Sequence, residues 1–284
     1  MSSVQADAPA EPSTRIRIDG RIRHFPDIRE LARYWQLVIT LGRRDITVRY
    51  RQTILGTVWL FAGALVTAGL FSFVFGRIAG LPTGGIPYFP FSYAGLLAWN
   101  LFSSVLSGAG SSLAPNSSLI SKIYFPRLVL PLSTLASTFV NTLLSFGIMV
   151  VLLFAYGIGI SFQMLLLPVW LLLGTVLAMG LGLVLGAYSV AYRDVNYATP
   201  VLVSVLLYLS PVAYSLAAVP ANLRDVYLLN PLATVIEGTR WSLLGTPYLP
   251  PAWAIAYTVV LSIAALAVGL MVFSRREQGF ADVI

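Results

Sequence analysis

Lys122 is the sole lysine among 284 residues, and it follows Ser121 rather than a glycine. A phosphate-cradling loop of the G-x-x-x-x-G-K-[ST] kind needs its lysine directly after glycine. These residues therefore cannot hydrolyse ATP by that mechanism. The sole histidine, His24, sits in a polar N-terminal stretch, and there is no cysteine. A thiolate zinc site, a di-iron centre and a Ser-His-Asp triad in the apolar body all lack an essential side chain. No metal site is expected, and no Asp-x-Asp pair is present for metal–nucleotide-sugar chemistry. Glu237 and Arg240 stand at i and i+3 in an apolar stretch, an ion-pair spacing. At membrane depth such charges mark a pathway or a buried pair. At the surface they form an ordinary interfacial pair facing water. Both readings stay open here.

The elements that carry these residues follow from the gaps between charges. Hydrophobic residues make up 57% of the chain and charged residues 10%, against about 25% charged in soluble domains. A soluble globular domain is excluded. Residues 52–76, 78–121, 128–192, 195–223 and 241–274 contain no Asp, Glu, Lys, Arg or His. A helix crosses a bilayer in about 20 apolar residues, so the third run holds two crossings and breaks at Tyr156-Gly157-Ile158-Gly159. The expected fold class is an all-α membrane protein with six transmembrane helices. They lie near 54–76, 92–112, 128–155, 164–190, 198–214 and 252–274, which puts both termini on one side. With the termini inside, 15 of the 18 basic residues are cytoplasmic, and Arg77, Arg224 and Arg240 are outside. That bias sets the orientation. The long polar N-terminal stretch is not a secretory signal. The net charge of +7 belongs to arginines beside membrane spans, where anionic headgroups are the nearer partner, so nucleic acid is rejected.

Three regions follow: a tail over 1–25, an interfacial segment over 26–51, and the membrane domain over 52–284. In the tail, 15–23 alternates around Asp19-Gly20, a hairpin signature. It reads as a basic tail on lipid headgroups or as a docking element. Pro26-Asp27 opens a helix over 27–45 with Ile28, Leu31, Trp35 and Val38 on one face, an amphipathic element of the cytoplasmic interface. It is a simple anchor or a gate that moves with the first crossing. The first cytoplasmic loop carries a short helix over 116–125, capped by Asn116 or Ser117 and ended by Pro126. It exposes Leu119, Ile120, Ile123, Tyr124 and Phe125 beside Lys122 and Arg127, for burial in a partner or in headgroups. In the second loop, Arg193 and Asp194 pair with a partner or form a solvated turn. Outside, prolines break 211–249 into two short re-entrant helices near 216–228 and 231–244. Such backbone is tolerated at depth only when covered by protein or lining a wet cavity.

No crossing carries an evident proton or sodium relay, so any driving force enters through the cytoplasmic loops. Aromatics are abundant, with 6 Trp, 14 Tyr and 15 Phe. Trp59, Phe71, Tyr93, Trp99, Phe102, Tyr208 and Tyr214 are candidates to line a path for sugar rings. Packing and interface belts are the competing use of such residues.

The stretch Arg44-Asp45-Ile46-Thr47-Val48-Arg49-Tyr50-Arg51-Gln52-Thr53-Ile54-Leu55-Gly56-Thr57-Val58-Trp59 resembles the N-terminal signature of ABC-2 type permeases that export polysaccharide and O-antigen. Lys122-Ile123-Tyr124-Phe125-Pro126-Arg127 with Pro131 is similar to that family's first cytoplasmic loop, and Tyr192-Arg193-Asp194 to its second. Ser210-Pro211, Asn230-Pro231 and Glu277-Gln278-Gly279-Phe280-Ala281-Asp282 match its outer segment and tail. The resemblance covers roughly 26–284, in order.

It implies a homodimeric inner-membrane permease, each copy docked on a separate nucleotide-binding ATPase, two copies of which hold ATP and Mg. The chain itself binds no cofactor. The resemblance makes 116–125 a coupling helix, with Asn116, Ser117, Leu119, Ile120, Lys122, Ile123 and Tyr124, joined by Arg193 and Asp194, against the ATPase. A lipid-linked polysaccharide carried on undecaprenyl pyrophosphate passes between the two copies. Arg43, Arg44, Arg49 and Arg51 are candidates for its pyrophosphate at the cytoplasmic rim, where arginine forks suit phosphate and membrane lipids are also near. Export of a drug or small lipid on the same scaffold, and a non-transporting assembly role, are the alternatives.

Overall fold

The computed structural model describes residues 28–51 and 58–277. Among them every regular element is helical and no strand occurs. The hairpin expected over 15–23 lies outside the described residues.

The interfacial segment is two helices, α1 (Ile28–Arg33) and α2 (Trp35–Arg51), parted by a turn at Tyr34. That break alters the expected face. Val38 and Leu41 turn inward and are buried, while Trp35 is 59% exposed. The inward set therefore runs from Leu37 and Val38 to Leu41 and Gly42, one helical turn apart. Gly42 lets α2 sit tightly on the helix over 129–155: a Cβ there would stand 2.7 Å from that of Ala136.

The next helix, α3 (Val58–Phe71), continues as a π-helical stretch over Ser72–Ile78. Its neighbour α4 (Tyr88–Gly110) starts four residues before the expected position 92. Pro87 stands at its N-cap in an extended conformation, and Pro90 in the first turn forfeits only an orphan N–H. A 3-10 turn (Ala114–Asn116) and α5 (Ser117–Ile120) lead into α6 (Val129–Ala155). After the 3-10 turn Phe162–Leu166 come α7 (Leu167–Ser189) and α8 (Asp194–Leu209), which stops at Ser210-Pro211. The 3-10 turn Leu216–Ala218, α9 (Ala221–Leu228) and α10 (Pro231–Leu244) follow; α10 has the expected bounds, whereas the helix expected from 216 begins only at 221, because Pro220 breaks the chain before it. Asn230 caps α10, its Oδ1 accepting from Leu232 N at 3.0 Å. The last helix is α11 (Ala252–Glu277).

Helix α4 is the hub, packed against α3, α6, α7, α8 and α10. Its buried face includes Phe91, Tyr93, Leu97, Phe102, Val105 and Ala109. Helix α10 is buried on nearly every side. The closest seam joins α7 to α11. A Cβ on Gly180 would collide with the backbone of Ala265 and Leu266, and one on Gly269 with the carbonyl of Gly180. Small residues of this kind let membrane helices approach through their backbones.

Among the described residues, three helical segments are long and apolar enough to span a bilayer: Val129–Ala155, Phe162–Ser189 and Ala252–Glu277. Ala62–Ile78 and Asp194–Leu209 are shorter apolar helices. Phe139, Leu143, Val151 and Phe154 on α6, and Val260 and Ile263 on α11, stand exposed. Apolar surface on this scale faces lipid or another protein. The chain is a multi-pass membrane protein.

Candidate functional site

The loop joining α4 to α6 is pinned from below and presented from above. Leu113, Ile120 and Phe125 are buried in the chain's own core, whereas Ile123 and Tyr124 are 58% and 67% exposed. Leu119 is half-buried and Lys122 exposed. A recess of about 240 Å³ lies among residues 120–125 and Arg127. The two-turn helix expected over 116–125 is instead the 3-10 turn followed by the single turn of α5, and Pro126 lies six residues beyond its end. Ile120 and Phe125 break the helical face because both must reach the core. Asn116 is the N-cap of α5 but makes no capping bond. Its Nδ2 donates to Ser112 O at 2.9 Å, and its Oδ1 accepts from Arg44 Nη2 at 2.9 Å. Ser117 opens α5 and is half-buried.

Three elements hold this loop. Arg44 on α2 bonds Asn116 and also pairs with Asp45 at 3.3 Å. Tyr124 Oη donates to Glu30 Oε1 on α1 at 3.4 Å. Glu277 at the end of α11 accepts from Arg127 N at 2.7 Å. Partial burial, then the carboxylates of Glu30 and Glu277, push the Tyr124 phenol above its ordinary range, so it remains a proton donor. The expected role of Arg44 in phosphate binding thus meets a competing engagement: its guanidinium already bridges α2 and the loop. Arg43 is exposed. The side chains of Arg49, Arg51 and Trp59 lie outside the described residues.

The end of α7, just before the second loop, is also reached by α11. The Arg276 guanidinium lies 4.4 Å from the Tyr188 ring centre, and Tyr188 stacks on Tyr192 with centroids 6.5 Å apart. Arg193 and Asp194 are exposed. Asp194 opens α8, where an acid suits the helix dipole. Neither makes an ion pair among the described residues. The end of α11 therefore touches the first loop directly and reaches the second only through Tyr188 of α7. The tail pattern in the sequence carried Glu277 but gave no indication of this convergence.

The aromatic candidates divide. Tyr93, Trp99 and Phe102 are buried; they pack within the chain and do not stand on an open wall. Tyr93 Oη donates to Ser145 O at 3.2 Å, and Trp99 lies 5.9 Å from Phe102 between ring centres. Phe71 is half-buried, edge-on to Phe75 at 5.7 Å. Tyr208 is 74% exposed. Tyr214 is half-buried, donates to Tyr208 O at 3.3 Å and meets Tyr227 edge-on.

Glu237 and Arg240 are a buried pair, 3.1 Å apart. The water-facing alternative is therefore corrected, because both side chains are inaccessible. Arg240 also donates to the carbonyls of Phe91 at 3.3 Å, Pro211 at 2.7 Å, Tyr214 at 3.1 Å and Val212. Its guanidinium lies 3.9 Å from the Phe91 ring centre. Glu237 accepts from Leu216 N at 3.0 Å. Ser210-Pro211 breaks the helix and strands carbonyls that have no helical partner. An arginine with five donors satisfies them and keeps its own charge paired. This clamp joins α10, α4 and the 210–216 segment.

Several long apolar helices packed around the hub helix α4 describe a multi-pass membrane protein. The chain belongs to the ABC-2 type transporter family, whose model matches residues 36–244, from the start of α2 to the end of α10. It is similar to the O-antigen export system permease protein RfbA of Myxococcus xanthus, 30% identical over 264 residues, covering 90% of this chain and 98% of that protein. RfbA of Klebsiella pneumoniae is 25% identical over 252 residues, 88% of this chain and 95% of its own length. The polysialic acid transport protein KpsM of Escherichia coli is 25% identical over 251 residues, 85% and 93% respectively.

Proposed function

We propose that this chain is the membrane subunit of an ATP-driven exporter that carries a lipid-linked polysaccharide, an undecaprenyl-pyrophosphate glycan, out of the cytoplasm. Two copies form the path across the bacterial inner membrane. Each docks a separate ATPase that holds ATP and Mg; the chain itself binds no cofactor. The six crossings are α3 with its π-helical extension, α4, α6, α7, α8 and α11, with both termini cytoplasmic. The observation that carries the reading is the match over 90% of the chain to an O-antigen export permease.

In this reading Ile123 and Tyr124 are the knob that meets the ATPase, with Lys122 beside them and Arg193–Asp194 as a second contact. Asn116, Ser117, Leu119 and Ile120 shape the turn behind them. Arg43, Arg49 and Arg51 receive the pyrophosphate, as arginine forks match phosphate oxygens. Arg44 sets the turn on α2. Tyr208, Tyr214, Phe71 and Trp59 offer ring faces to the passing sugars.

Loss of the chain in its host tests this. Surface polysaccharide should disappear while lipid-linked glycan accumulates inside. The purified chain should hydrolyse no ATP until its ATPase is added. Unchanged surface polysaccharide, or robust hydrolysis by the pure chain, would overturn the proposal.

A further inference from the structure

A notch of about 320 Å³ opens among α3, α4 and α6. Its wall sets polar side chains among Ala64, Leu97 and Leu101, at a depth where lipid-facing surface is apolar throughout. Asn100, Ser104, Thr138, Asn141, Thr142 and Ser145 line it. Asn100 lies twelve residues into α4 and Asn141 twelve residues into α6. At about 1.5 Å per residue, both stand near the middle of a hydrocarbon layer roughly 30 Å thick. Across the mouth is Gly63 of α3; nothing among the described residues lies within 4 Å of where its Cβ would be. Asn100 is exposed, and its carboxamide has no hydrogen-bond partner among the described residues. Against lipid tails, each unpaired polar group of that carboxamide would cost several kcal/mol. Lipid tails are therefore a poor occupant of the notch, and water, a ligand or a second copy would satisfy it.

Its chemistry selects the ligand class. Among the described residues no charged one lines it, so none of them offers a cation to a phosphate or a carboxylate. The Asn100 carboxamide offers two donors and two acceptor positions. Thr142 gives its hydroxyl proton to Thr138 O at 2.9 Å, which leaves its oxygen as an acceptor. Amides and hydroxyl oxygens without charge match a ligand that both donates and accepts, as sugar hydroxyls do. We propose that this notch is a mid-membrane site for neutral sugar units of the exported chain, with Asn100 as its principal hydrogen-bonding residue. The inference rests on the export reading above. Uncharged single contacts hold each unit weakly enough to let the polymer move on.

The absence of cysteine provides a clean background for labelling. In membranes that contain the chain with its ATPase, Asn100→Cys and Ser104→Cys should react with a water-soluble methanethiosulfonate. The rate should exceed that of Leu143→Cys on the exposed face of α6 by about tenfold, because only a hydrated thiol forms the attacking thiolate. Labelling of Asn100→Cys should slow severalfold in cells making the polysaccharide, relative to cells blocked in its synthesis. Asn100→Leu should lower export severalfold, and Asn100→Gln should recover part of it. Equally slow labelling at 100 and 143 would make the notch lipid-facing and overturn the proposal. Slow labelling with disulfide-linked dimers of Asn100→Cys would make it a contact between copies and overturn it too. Labelling indifferent to polysaccharide would leave a wet recess that holds no sugar. Polysaccharide export that persists without the chain would instead refute the export reading, whatever the labelling shows.

Discussion

Arg44 and Asn116 are 72 residues apart in the chain, yet the guanidinium Nη2 donates to the carboxamide Oδ1 at 2.9 Å. This bond ties α2 to the turn at the base of the loop between α4 and α6. Tyr124 and Glu30 make a second tie, and Arg127 N with Glu277 a third. The loop that exposes Tyr124 is therefore joined to α1, α2 and α11 together. Coupling of this kind needs discrete contacts that move as a unit.

Asn116→Ala and Arg44→Ala should each change stability by less than about 1 kcal/mol, because Arg44 is half exposed and the contact is partly screened. Export per ATP hydrolysed should nevertheless fall. Melting curves in detergent and vesicle transport with the ATPase present would separate the two effects, and the double variant should be no worse than either single one.

Tyr124→Ala and Ile120→Asp should behave differently despite being near neighbours. Tyr124 is 67% exposed and Ile120 only 7%. The first variant should insert and fold normally yet uncouple hydrolysis from transport. The second buries an unpaired carboxylate and should lower the amount of folded protein. Normal transport by Tyr124→Ala would remove the coupling assignment.

Arg240→Met should be among the most damaging single changes, at about 3–5 kcal/mol, because it leaves a buried carboxylate unpaired. It also strands the carbonyls of Pro211, Val212 and Tyr214. Glu237→Gln keeps an acceptor for Leu216 N and leaves those carbonyls served, so it should cost less. Thermal unfolding of the two purified variants gives the order directly.

Tyr93→Ala and Tyr208→Ala distinguish packing from surface. Truncating a buried aromatic typically costs about 3–5 kcal/mol, so Tyr93→Ala should destabilise the chain. Tyr208→Ala should leave stability nearly unchanged and affect export alone. A stable Tyr93→Ala variant with impaired export would return Tyr93 to the path.

Gly180→Ala should cost about 1–3 kcal/mol by forcing α7 away from α11. Gly63→Ala, with open space at its Cβ, should cost much less in packing. Thermal stability in detergent compares them.

Low charge and the spacing of the charges were enough to read a helical membrane chain and its candidate spans from the sequence. A span needs only a run of apolar residues of the right length, and that property is one-dimensional. Pro231 likewise marked the start of α10, because a proline acts on its own backbone. Lys122 excluded a P-loop by its neighbour alone. Which face each residue takes was not legible in that way. Trp35 turns outward because Tyr34 breaks the helix ahead of it. Tyr93, Trp99 and Phe102 could pack or line a wall on composition alone, and only the position of α4 at the hub buries them. Glu237 and Arg240 carried an ion-pair spacing but no depth; five carbonyl and carboxylate oxygens from three segments had to converge before that pair became a clamp. Arg44 read as a free rim charge because its partner, Asn116, lies 72 residues away, and contacts of that separation exist only once the helices have packed.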